Sequence, residues 1–507
     1  MRAGGSRPCA RRAAAVAALW LCAGCGERFE RVVVAYPDIP SDLHPHRGGS
    51  EYAQSIGANV YEALTARDAE LSVGQRLARS WRTPDERTWV VELEEGVRFH
   101  DGTELVAEHV SRSIEAARSD PRSFYHDAVD VIETVAVHGS RTIVFETRRP
   151  VADLPSRLSY VAICTENPAG GPPLGTGPYR VVEFEPGSRV RLGRFPSYHG
   201  EAPRVASLEF AAIADAGSRL HALRDGSVDL VPSRGVPLQQ LEAAAEDPDL
   251  VVSSRLGVRI YFLVMDVSRP ENPDAAGGKG NPFLDTRVRR ALTLAVDRGA
   301  LARHPDVRGE AIDQLAVPGA FGYHRGLAAP RHDPEAARRL LAEAGYPDGF
   351  EVALDIAADS QEVLASLEGD LGGVGIRILP RLQRIADLLE RVRRRDTALA
   401  MVSWIATAAD LGASAEYLLH TPTQSYGRYN GGSWSNPEAD ALIEASAAAF
   451  DPARRAGLLL RLAEIVAEEA PVVPLIRNRD SYALRRGLQF VPRLDRRILG
   501  AELRWER

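Results

Sequence analysis

Residues 97–113 constrain the fold of this chain more than any other stretch. Just before them, Thr88–Leu93 alternates apolar and polar side chains, which predicts a strand. The dipeptide Asp101-Gly102 predicts a tight turn, because glycine accepts a positive φ without steric cost. Thr103 suits a helix N-cap, and residues 108–113 continue as helix. The order predicted is strand, turn, short strand, turn and helix.

The sequence of this stretch also resembles that of a known protein family. Residues 97–110 read V-R-F-H-D-G-T-E-L-V-A-E-H-V, and together with Trp81 they resemble the signature of the family 5 extracellular solute-binding proteins, the peptide and nickel group of ABC importers. His109 stands where the family usually carries aspartate. Further stretches resemble the family in the same order, namely Y-E-A-L from Tyr61, G-T-G-P-Y from Gly175, F-L-D-T-R-V-R from Phe283 and D-P-E-A-A-R-R-L-L from Asp333. On this collinear match over residues 31–480 the chain is identified as a member of the family.

The resemblance implies an α/β chain with the two-lobed periplasmic-binding-protein fold (type II, cluster C-like) and an extra subdomain in the first lobe. We expect a signal peptide over 1–24, lobe I over 25–257 with the extra subdomain at about 50–165, lobe II over 258–476, and a return to lobe I over 477–507. Strands crossing at Met265 and near Arg477 are expected to form the hinge. A length of 507 residues agrees with more than one core.

Side-chain chemistry predicts where two helices of the second lobe begin. Asp333 suits an N-cap, Pro334 the first helical position, and Gly345 the stop of the same helix. Asp285 suits the N-cap of the helix that follows it.

The first 25 residues predict a targeting segment. Four arginines precede an apolar run over residues 13–24, which is too short for the roughly 20 residues that cross a bilayer. Ala23-Gly24-Cys25 resembles a lipoprotein cleavage box, so Cys25 is expected to be the lipidated first residue of the mature chain. The alternative is ordinary signal cleavage nearby and secretion in soluble form. Lipidation implies a periplasmic or extracytoplasmic protein anchored to the cell membrane, and it leaves Cys164 without a disulfide partner.

Composition and motifs argue against several functional classes. The net charge is −7 and Lys279 is the one lysine, which does not favour nucleic-acid binding. Apart from Cys22-Ala23-Gly24-Cys25 in the targeting segment, which is a C-x-x-C, the sequence has no G-x-S-x-G, H-E-x-x-H, C-x-x-C or Walker motif, so neither an enzyme nor a cofactor is expected. His44 and His46 are either two metal ligands or part of a solvent-exposed loop, and the loop is favoured because no further histidines cluster nearby. We expect a monomer without a metal site.

The segment 399–410 bears on ligand specificity. In peptide-binding relatives an aspartate three residues after a tryptophan pairs with the α-ammonium of the peptide; here Trp404 is followed at that place by Thr407, and Asp410 falls on a second acidic position. A neutral hydroxyl does not replace an ion pair in a desolvated cleft, so the preferred solute is expected to lack a free amine. The ligand-binding residues that the resemblance implies are Ile39, Ser41, Tyr52, Ser403, Trp404, Ile405, Thr407, Asp410 and Tyr426.

The function implied is that of a substrate-binding lipoprotein of an ABC importer. It would capture a peptide-like or other small polar solute between its lobes and deliver it to the permease subunits. Two alternatives stay open: a ligand-binding sensor or chaperone lipoprotein without a role in import, and a secreted hydrolase.

Overall fold

The computed structural model describes residues 30–506, apart from 277–279, 305–306, 328–330 and 407. The predicted signal peptide, Cys25, Lys279 and Thr407 lie outside the described residues. The helices are α1 (Glu51–Val60), α2 (Ala107–Ser119), α3 (His126–Val129), α4 (Leu154–Leu158), α5 (Ala216–Asp225), α6 (Leu238–Ala244), α7 (Thr286–Ala295), α8 (Arg298–Arg303), α9 (Pro334–Glu343), α10 (Gln361–Gly372), α11 (Ile385–Arg393), α12 (Leu411–Leu418), α13 (Pro437–Ala447) and α14 (Pro452–Glu469).

The strands are β1 (Arg31–Tyr36), β2 (Glu62–Ala63), β3 (Thr65–Arg67), β4 (Val73–Gln75), β5 (Ala78–Arg82), β6 (Thr88–Leu93), β7 (Ile132–His138), β8 (Thr142–Thr147), β9 (Ala162–Ile163), β10 (Tyr179–Glu185), β11 (Arg189–Arg194), β12 (Ser207–Ala212), β13 (Leu230–Pro232), β14 (Leu250–Met265), β15 (Ala275–Ala276), β16 (Glu310–Ala311), β17 (Phe350–Ala357), β18 (Ile376–Gln383), β19 (Leu399–Ile405), β20 (Val472–Arg485), β21 (Leu488–Gln489) and β22 (Arg504–Trp505). Short 3₁₀ turns cover Pro282–Leu284, Ala358–Ser360 and Gly500–Glu502.

One mixed sheet organises most of these strands. Its order is β10-β11-β12-β1-β13-β20-β14-β19-β17-β15, with β18 paired to β17 and β16 paired to β20. We call β10, β11, β12, β1 and β13 the first half of the sheet, and β19, β17, β18 and β15 the second half. Strand β1 pairs in parallel with β12 and β13, and β17 pairs in parallel with β18 and β19. The run R-V-V-V-A-Y of β1 is apolar almost throughout because both faces of the strand are buried.

Strands β14 and β20 belong to both halves. They pair antiparallel along nearly their whole length, and the register shifts between Leu256 and Ile260 and again between Tyr261 and Phe262. Bulges of this kind bend a strand and re-aim its side chains. The irregular stretch includes the predicted boundary between 257 and 258, which stays a prediction. Met265 lies at the far end of β14, buried opposite Leu399 in the second half rather than in the irregular stretch.

Separate hydrophobic cores support the two halves and a third body. In the first half, Val34 and Phe210 pack on one face and Ala35 and Leu223 on the other. In the second half, the two faces are covered by clusters around Leu354 and around Phe262. The third body is the sheet β5-β6-β8-β7, which packs against α2 through residues such as Val91, Phe145 and Val110. These strands lie within the range predicted for the extra subdomain.

The predicted helix starts hold in the second half. Asp333 accepts a hydrogen bond from the Ala336 N–H at 2.8 Å, and Asp285 accepts one from the Arg287 N–H at 2.8 Å. Pro334 occupies the first turn of α9, and Gly345 has φ of +92° just after it. Both caps are therefore confirmed.

The predicted start of α2 is wrong. Val106, not Thr103, is the N-cap, because the Phe99 N–H donates to the Thr103 carbonyl at 2.8 Å and holds Thr103 in the preceding turn. Phe99 is buried in the third body without forming a strand. His109 supplies the acceptor of this cap, since its Nδ1 accepts from the Val106 N–H at 3.1 Å. It thereby does what an aspartate at that place would do.

Candidate ligand-binding cleft

The irregular stretch of β14 brings Arg259, whose side chain is 12% exposed, to the start of α1. Glu51 is the first residue of α1, where the helix dipole favours a carboxylate. Its Oε2 lies 3.6 Å from Arg259 Nη2, 3.7 Å from Arg234 Nη1 and 3.0 Å from Arg496 Nη1. Glu51, Arg234 and Arg496 belong to the first half, whereas Arg259 leads into the second. This contact therefore lies between the halves.

A second carboxylate completes the cluster. Asp480, on β20, lies with its Oδ1 2.9 Å from Arg496 Nε and accepts from Asn478 Nδ2 at 2.8 Å. Burial raises the pKa of Asp480. Burial acts to lower the pKa of Arg496, but Asp480 and Glu51 outweigh it and raise that pKa. We call Glu51, Arg234, Arg259, Asp480 and Arg496 the arginine seam; it sets three guanidinium groups against two carboxylates.

Arg259 is incompletely paired, and so are three other members of the arginine seam: Arg496 Nε, Glu51 Oε2 and Asp480 Oδ2 are buried and have no hydrogen-bond partner among the described residues. Arg259 donates through Nη1 to Ser403 Oγ at 3.1 Å, its contact with Glu51 is longer than a hydrogen bond, and its buried Nε has no hydrogen-bond acceptor among the described residues. Burial lowers the pKa of Arg259, and the charge of Arg496 lowers it further. Buried polar groups in native proteins are nearly always satisfied, whereas unpaired donors and unpaired acceptors stand together in the seam.

Three of the predicted ligand-binding residues lie at the arginine seam. Ser403 contacts Arg259 directly, and Ile405 pairs with Arg259 across the strands β19 and β14. Tyr52 follows Glu51 in α1, its ring lies 4.5 Å from that of Tyr36, and burial raises its pKa. The structure brings these three together; their role in binding stays a prediction.

Four others lie apart from the seam. Ile39 is 1% exposed within the core of the first half, and Ser41 is exposed in the loop after β1. Trp404 points to the other face of the sheet, where its Nε1 donates to Ser414 Oγ at 3.1 Å and its ring packs between Tyr417 and Tyr429. The ring of Tyr426 stacks on His420 at 4.1 Å and under the guanidinium of Arg149 at 4.8 Å.

Asp410 is engaged by the protein itself. Its Oδ1 accepts from the Gly412 N–H at 2.7 Å and caps α12, and its Oδ2 lies 2.5 Å from Arg455 Nη1. Both carboxylate oxygens are thus occupied. Thr407, the other half of the specificity prediction, lies outside the described residues.

A different contact between the bodies is fully paired. Arg157 in α4 donates through Nη2 to both carboxylate oxygens of Glu416 in α12, each at 2.8 Å, and through Nε to Asp153 at 2.8 Å. We call Asp153, Arg157 and Glu416 the latch. Nearby, the Ala152 N–H donates to the Ala447 carbonyl at 2.9 Å. The latch joins the third body to the second half.

The cavity and the buried histidine described next lie apart from the arginine seam. A cavity of about 1110 Å³ lies between α1, the third body and residues 486–506, but no seam residue lines it. The part of the chain described here holds no group of His, Cys, Asp and Glu able to bind a metal. The prediction of a solvent-exposed histidine loop is wrong for His46, which is fully buried with Nε2 2.8 Å from the Ala162 carbonyl. None of the described helices combines the length and apolarity required to cross a bilayer.

The sequence alone identified no member of the arginine seam. Glu51, Arg234, Asp480 and Arg496 were not predicted as site residues, and neither was Arg259. One signal was available: Arg259 interrupts the apolar run G-V-R-I-Y-F-L-V-M of β14, and a charge in a strand buried on both faces needs a partner. The partner of Arg259 is Glu51, about 200 residues earlier in the chain.

Comparison with known proteins decides the family. The model of the bacterial extracellular solute-binding proteins, family 5 Middle, matches residues 72–426. The chain belongs to this family. It is a solute-binding protein with a two-lobed α/β fold. The relatives that it matches are binding proteins rather than enzymes, which disfavours the secreted hydrolase.

Individual relatives agree along nearly the whole chain. The glutathione-binding protein GsiB of Escherichia coli (strain K12) is 25% identical over 479 residues, which covers 90% of each protein. The periplasmic binding protein DppA of Helicobacter pylori, in complex with the peptide STSA, has a TM-score of 0.79 at 20% identity and covers 96% of this chain and 100% of its own. The binding protein AgaA of A. tumefaciens R10, in complex with agropinic acid, has a TM-score of 0.78 at 21% identity, with 94% and 99% covered. These structures establish the fold.

Proposed function

We propose that this protein captures a small polar solute at the arginine seam and delivers it to the permease subunits of an ABC importer. The observation that carries the proposal is the incomplete hydrogen bonding of the arginine seam, in which buried atoms of Glu51, Arg259, Asp480 and Arg496 have no partner among the described residues. Relatives described as binding glutathione, a peptide or agropinic acid support a solute of this size and polarity.

The arrangement of the seam gives the capture its mechanism. Glu51 and Arg234 come from one lobe, while Arg259 and Ser403 come from the other. A solute that contacts both sets binds the closed form more tightly than the open one, and its binding energy shifts the population towards closure. The permease then recognises the closed form. A monomer suffices for this cycle.

Native mass spectrometry of the purified protein tests the capture. We expect the intact protein to carry a solute that is released on denaturation. Small-angle scattering of the emptied protein should then show a smaller radius of gyration when that solute is added back. A protein that carries nothing, or a radius unchanged at saturation, contradicts the proposal. Loss of solute uptake in a strain lacking the protein distinguishes an importer component from a sensor or chaperone lipoprotein.

The membrane anchor is a second part of the proposal. Ala23-Gly24-Cys25 after a short apolar run supports lipidation of Cys25. The variant Cys25→Ala should move from the membrane fraction to the soluble fraction, because it has no thiol at this position to carry the lipid. Unchanged fractionation counts against the anchor.

The specificity prediction gains support from Asp410. Because Arg455 and the α12 cap occupy its carboxylate, Asp410 is poorly placed to receive the ammonium group of a peptide. We therefore propose that unmodified peptides bind weakly. Calorimetry with a pool of di- to pentapeptides should show a gain of binding of about tenfold or more in Thr407→Asp, since charge-assisted hydrogen bonds are roughly twice as strong as neutral ones. Tight binding by the unmutated protein that is lost in Asp410→Ala overturns this part.

A further inference from the structure

We propose that residues 376–396 bind a membrane surface that carries anionic lipid headgroups. This segment holds the strand β18, the helix α11 and the turn that follows the helix, and we call it the basic edge. The inference stands apart from solute capture, because it concerns another surface and another partner.

Exposed apolar side chains are concentrated in the basic edge. The described residues include eight large apolar side chains that are exposed, and four of the eight fall within the eleven residues 379–389. These four are Leu379, Leu382, Ile385 and Leu389, each between 41% and 48% exposed. Single exposed apolar side chains are normal on soluble proteins, whereas a group of them marks a surface that another body covers.

The strand β18 lies at the margin of the sheet. Among the described strands it pairs with β17 alone, so its other edge is open. Pro380 and the flanking Arg377 and Arg381 protect such an edge from pairing with another chain. Protection of the edge explains these three residues, but it does not account for Leu379 and Leu382, which are exposed on the same strand.

The helix α11 covers only part of its apolar stripe. Leu388 and Val392 are buried in the core cluster around Phe262. Ile385 and Leu389 belong to the same stripe, one helical turn apart, and stay exposed along its flank. A helix with an arginine-rich polar face and an exposed apolar flank is typical of segments that lie in the interfacial layer of a membrane.

The charge of the basic edge favours an anionic partner. The whole chain carries −7, yet the exposed charged residues of the basic edge are six arginines and two aspartates. Carboxylates neutralise part of this charge, in the pairs Arg377–Glu351 and Arg381–Asp274 and in the contacts of Glu390 with Arg393 and Arg394. Arg384 and Arg395, which flank α11, are exposed and form no ion pair within the described part of the chain. Positive charge therefore remains at both ends of α11, where it attracts an anionic surface and repels a second copy of the same segment.

The backbone at Arg395 is a further indication. This residue follows the end of α11 with φ of +58°, a conformation that favours glycine after a helix. An arginine there costs conformational energy and gains no ion pair among the described residues. The stability of the protein alone does not account for it, whereas contact with a phosphate headgroup does.

The membrane anchor proposed for Cys25 is compatible with this orientation. Strand β1 of the first half begins at Arg31, six residues after Cys25, so the anchor would hold the first half beside the bilayer. The basic edge would bring the second half to the same surface. Both halves then lie along the membrane.

The test uses the full-length chain as its Cys25→Ala variant, so that no acyl chain contributes to membrane binding. Vesicles of phosphatidylcholine, with and without phosphatidylglycerol, are floated with the protein at low salt and at about 1 M salt, where the Debye length falls to about 3 Å. We expect binding to the vesicles that contain phosphatidylglycerol, weakened at high salt, and none to phosphatidylcholine alone.

Two double variants separate the charge from the apolar contact. Arg384→Gln with Arg395→Gly should lower the partition coefficient at least about tenfold, because each arginine beside an anionic membrane contributes about fivefold. Glycine suits the positive φ of residue 395, so this pair preserves the fold. Ile385→Ser with Leu389→Ser should lower the coefficient by about the same factor, because the apolar contact with the lipid is lost.

Two exposed residues outside the basic edge serve as matched controls. Arg454, on α14, and Leu284, which is 44% exposed, also lie outside the first half. Arg454→Gln and Leu284→Ser should leave the binding unchanged. If the serine pair does not fold, Leu382→Ser replaces it and must weaken the binding.

The other outcomes overturn the inference. These are equal binding to neutral and anionic vesicles, no binding to either, and binding that the double variants leave unchanged. A dimer detected by analytical ultracentrifugation, dissociated by the same substitutions while vesicles are not bound, would assign the surface to a second copy of the chain instead. None of these outcomes bears on solute capture.

Discussion

The latch and the arginine seam are two contacts between bodies of the same molecule, and both are built on arginines and carboxylates. In the latch, Arg157 donates to both oxygens of Glu416 and to Asp153, all at 2.8 Å. In the seam, Arg259 reaches its carboxylate only at 3.6 Å and keeps a buried donor without an acceptor. The residue types are alike, but the pairing is complete in one contact and incomplete in the other.

Under the proposed function, the difference separates a contact that joins two bodies of the protein from a contact that receives a solute. A fully paired buried cluster needs nothing from outside and stabilises the arrangement that it joins. An incompletely paired one is stable only when a further group supplies the missing interactions. Substitutions in the latch should therefore lower the free energy of unfolding, whereas substitutions in the seam should lower solute binding.

The largest effect on stability is expected from Arg157→Ala. Removing this arginine leaves Asp153 and Glu416 buried without their main partner, which costs about 3–5 kcal/mol of the free energy of unfolding. Calorimetric unfolding measures it. Arg428→Ala is the control, because Arg428 pairs with Asp127 between the same bodies but its side chain is 53% exposed; its loss should cost about 0.2–1 kcal/mol. Equal costs in the two variants would remove the contrast between paired and exposed contacts.

The variant Asp410→Ala tests whether Asp410, a predicted ligand-binding residue, contributes to stability, as the latch does, or to solute binding. Its carboxylate is paired as fully as those of the latch, so we expect a loss of about 2 kcal/mol of stability from the α12 cap and the Arg455 pair. The occupancy of the solute should not change. A fall in occupancy with unaltered stability would place Asp410 in the binding site instead.

Arg259→Met should change the stability of the emptied protein by less than about 1 kcal/mol in either direction. Methionine fills similar space and removes a buried charge that is poorly compensated, which offsets the lost contact with Ser403. Thermal unfolding of the solute-free protein measures this. A loss as large as that of Arg157→Ala would show that the seam is a structural contact.

The smallest effect is a difference in pH dependence between Asp153 and Asp480. Burial acts to raise the pKa of Asp153, but Arg157 outweighs it and lowers that pKa below 3.8, so its stabilising contribution is present above pH 3.8 and is lost as the pH falls further. Burial raises the pKa of Asp480, so its contribution becomes more favourable as the pH falls towards 3.8. Melting temperatures of Asp153→Asn and Asp480→Asn, compared with the unmutated protein between pH 3 and about 7, should diverge in opposite senses. Parallel curves would contradict the assignment.

Local chemistry made parts of the fold predictable. Asp285 and Asp333 cap their helices as predicted because an N-cap depends on a side chain and the two or three residues after it. The cap at Thr103 failed because a neighbouring turn, closed by the Phe99 N–H, competed for the same residue. The family signature supplied the order of the elements, which the local patterns did not.

Local sequence patterns could not predict the arginine seam, and the reason is physical. Glu51, Arg259 and Arg496 are drawn from the beginning, the middle and the end of the chain, and each follows an ordinary local pattern. Their meeting depends on how two long strands bend at a register shift. Trp404 shows the same limit, since a tryptophan at a family position faces the side of the sheet away from the seam. Which face a side chain takes follows from register, and register was not in the sequence pattern.

The position of β20 has a consequence for how the protein is made. This strand lies between β13 and β14, yet residues 472–485 are synthesised long after both of them. Until they arrive, β13 and β14 each present an open edge to other chains, and the cores of both lobes lack a central strand. A chain cut short before residue 472 therefore exposes unpaired backbone in both lobes at once. We expect such truncated chains to be prone to aggregation and proteolysis, because only the arrival of β20 covers the edges of β13 and β14.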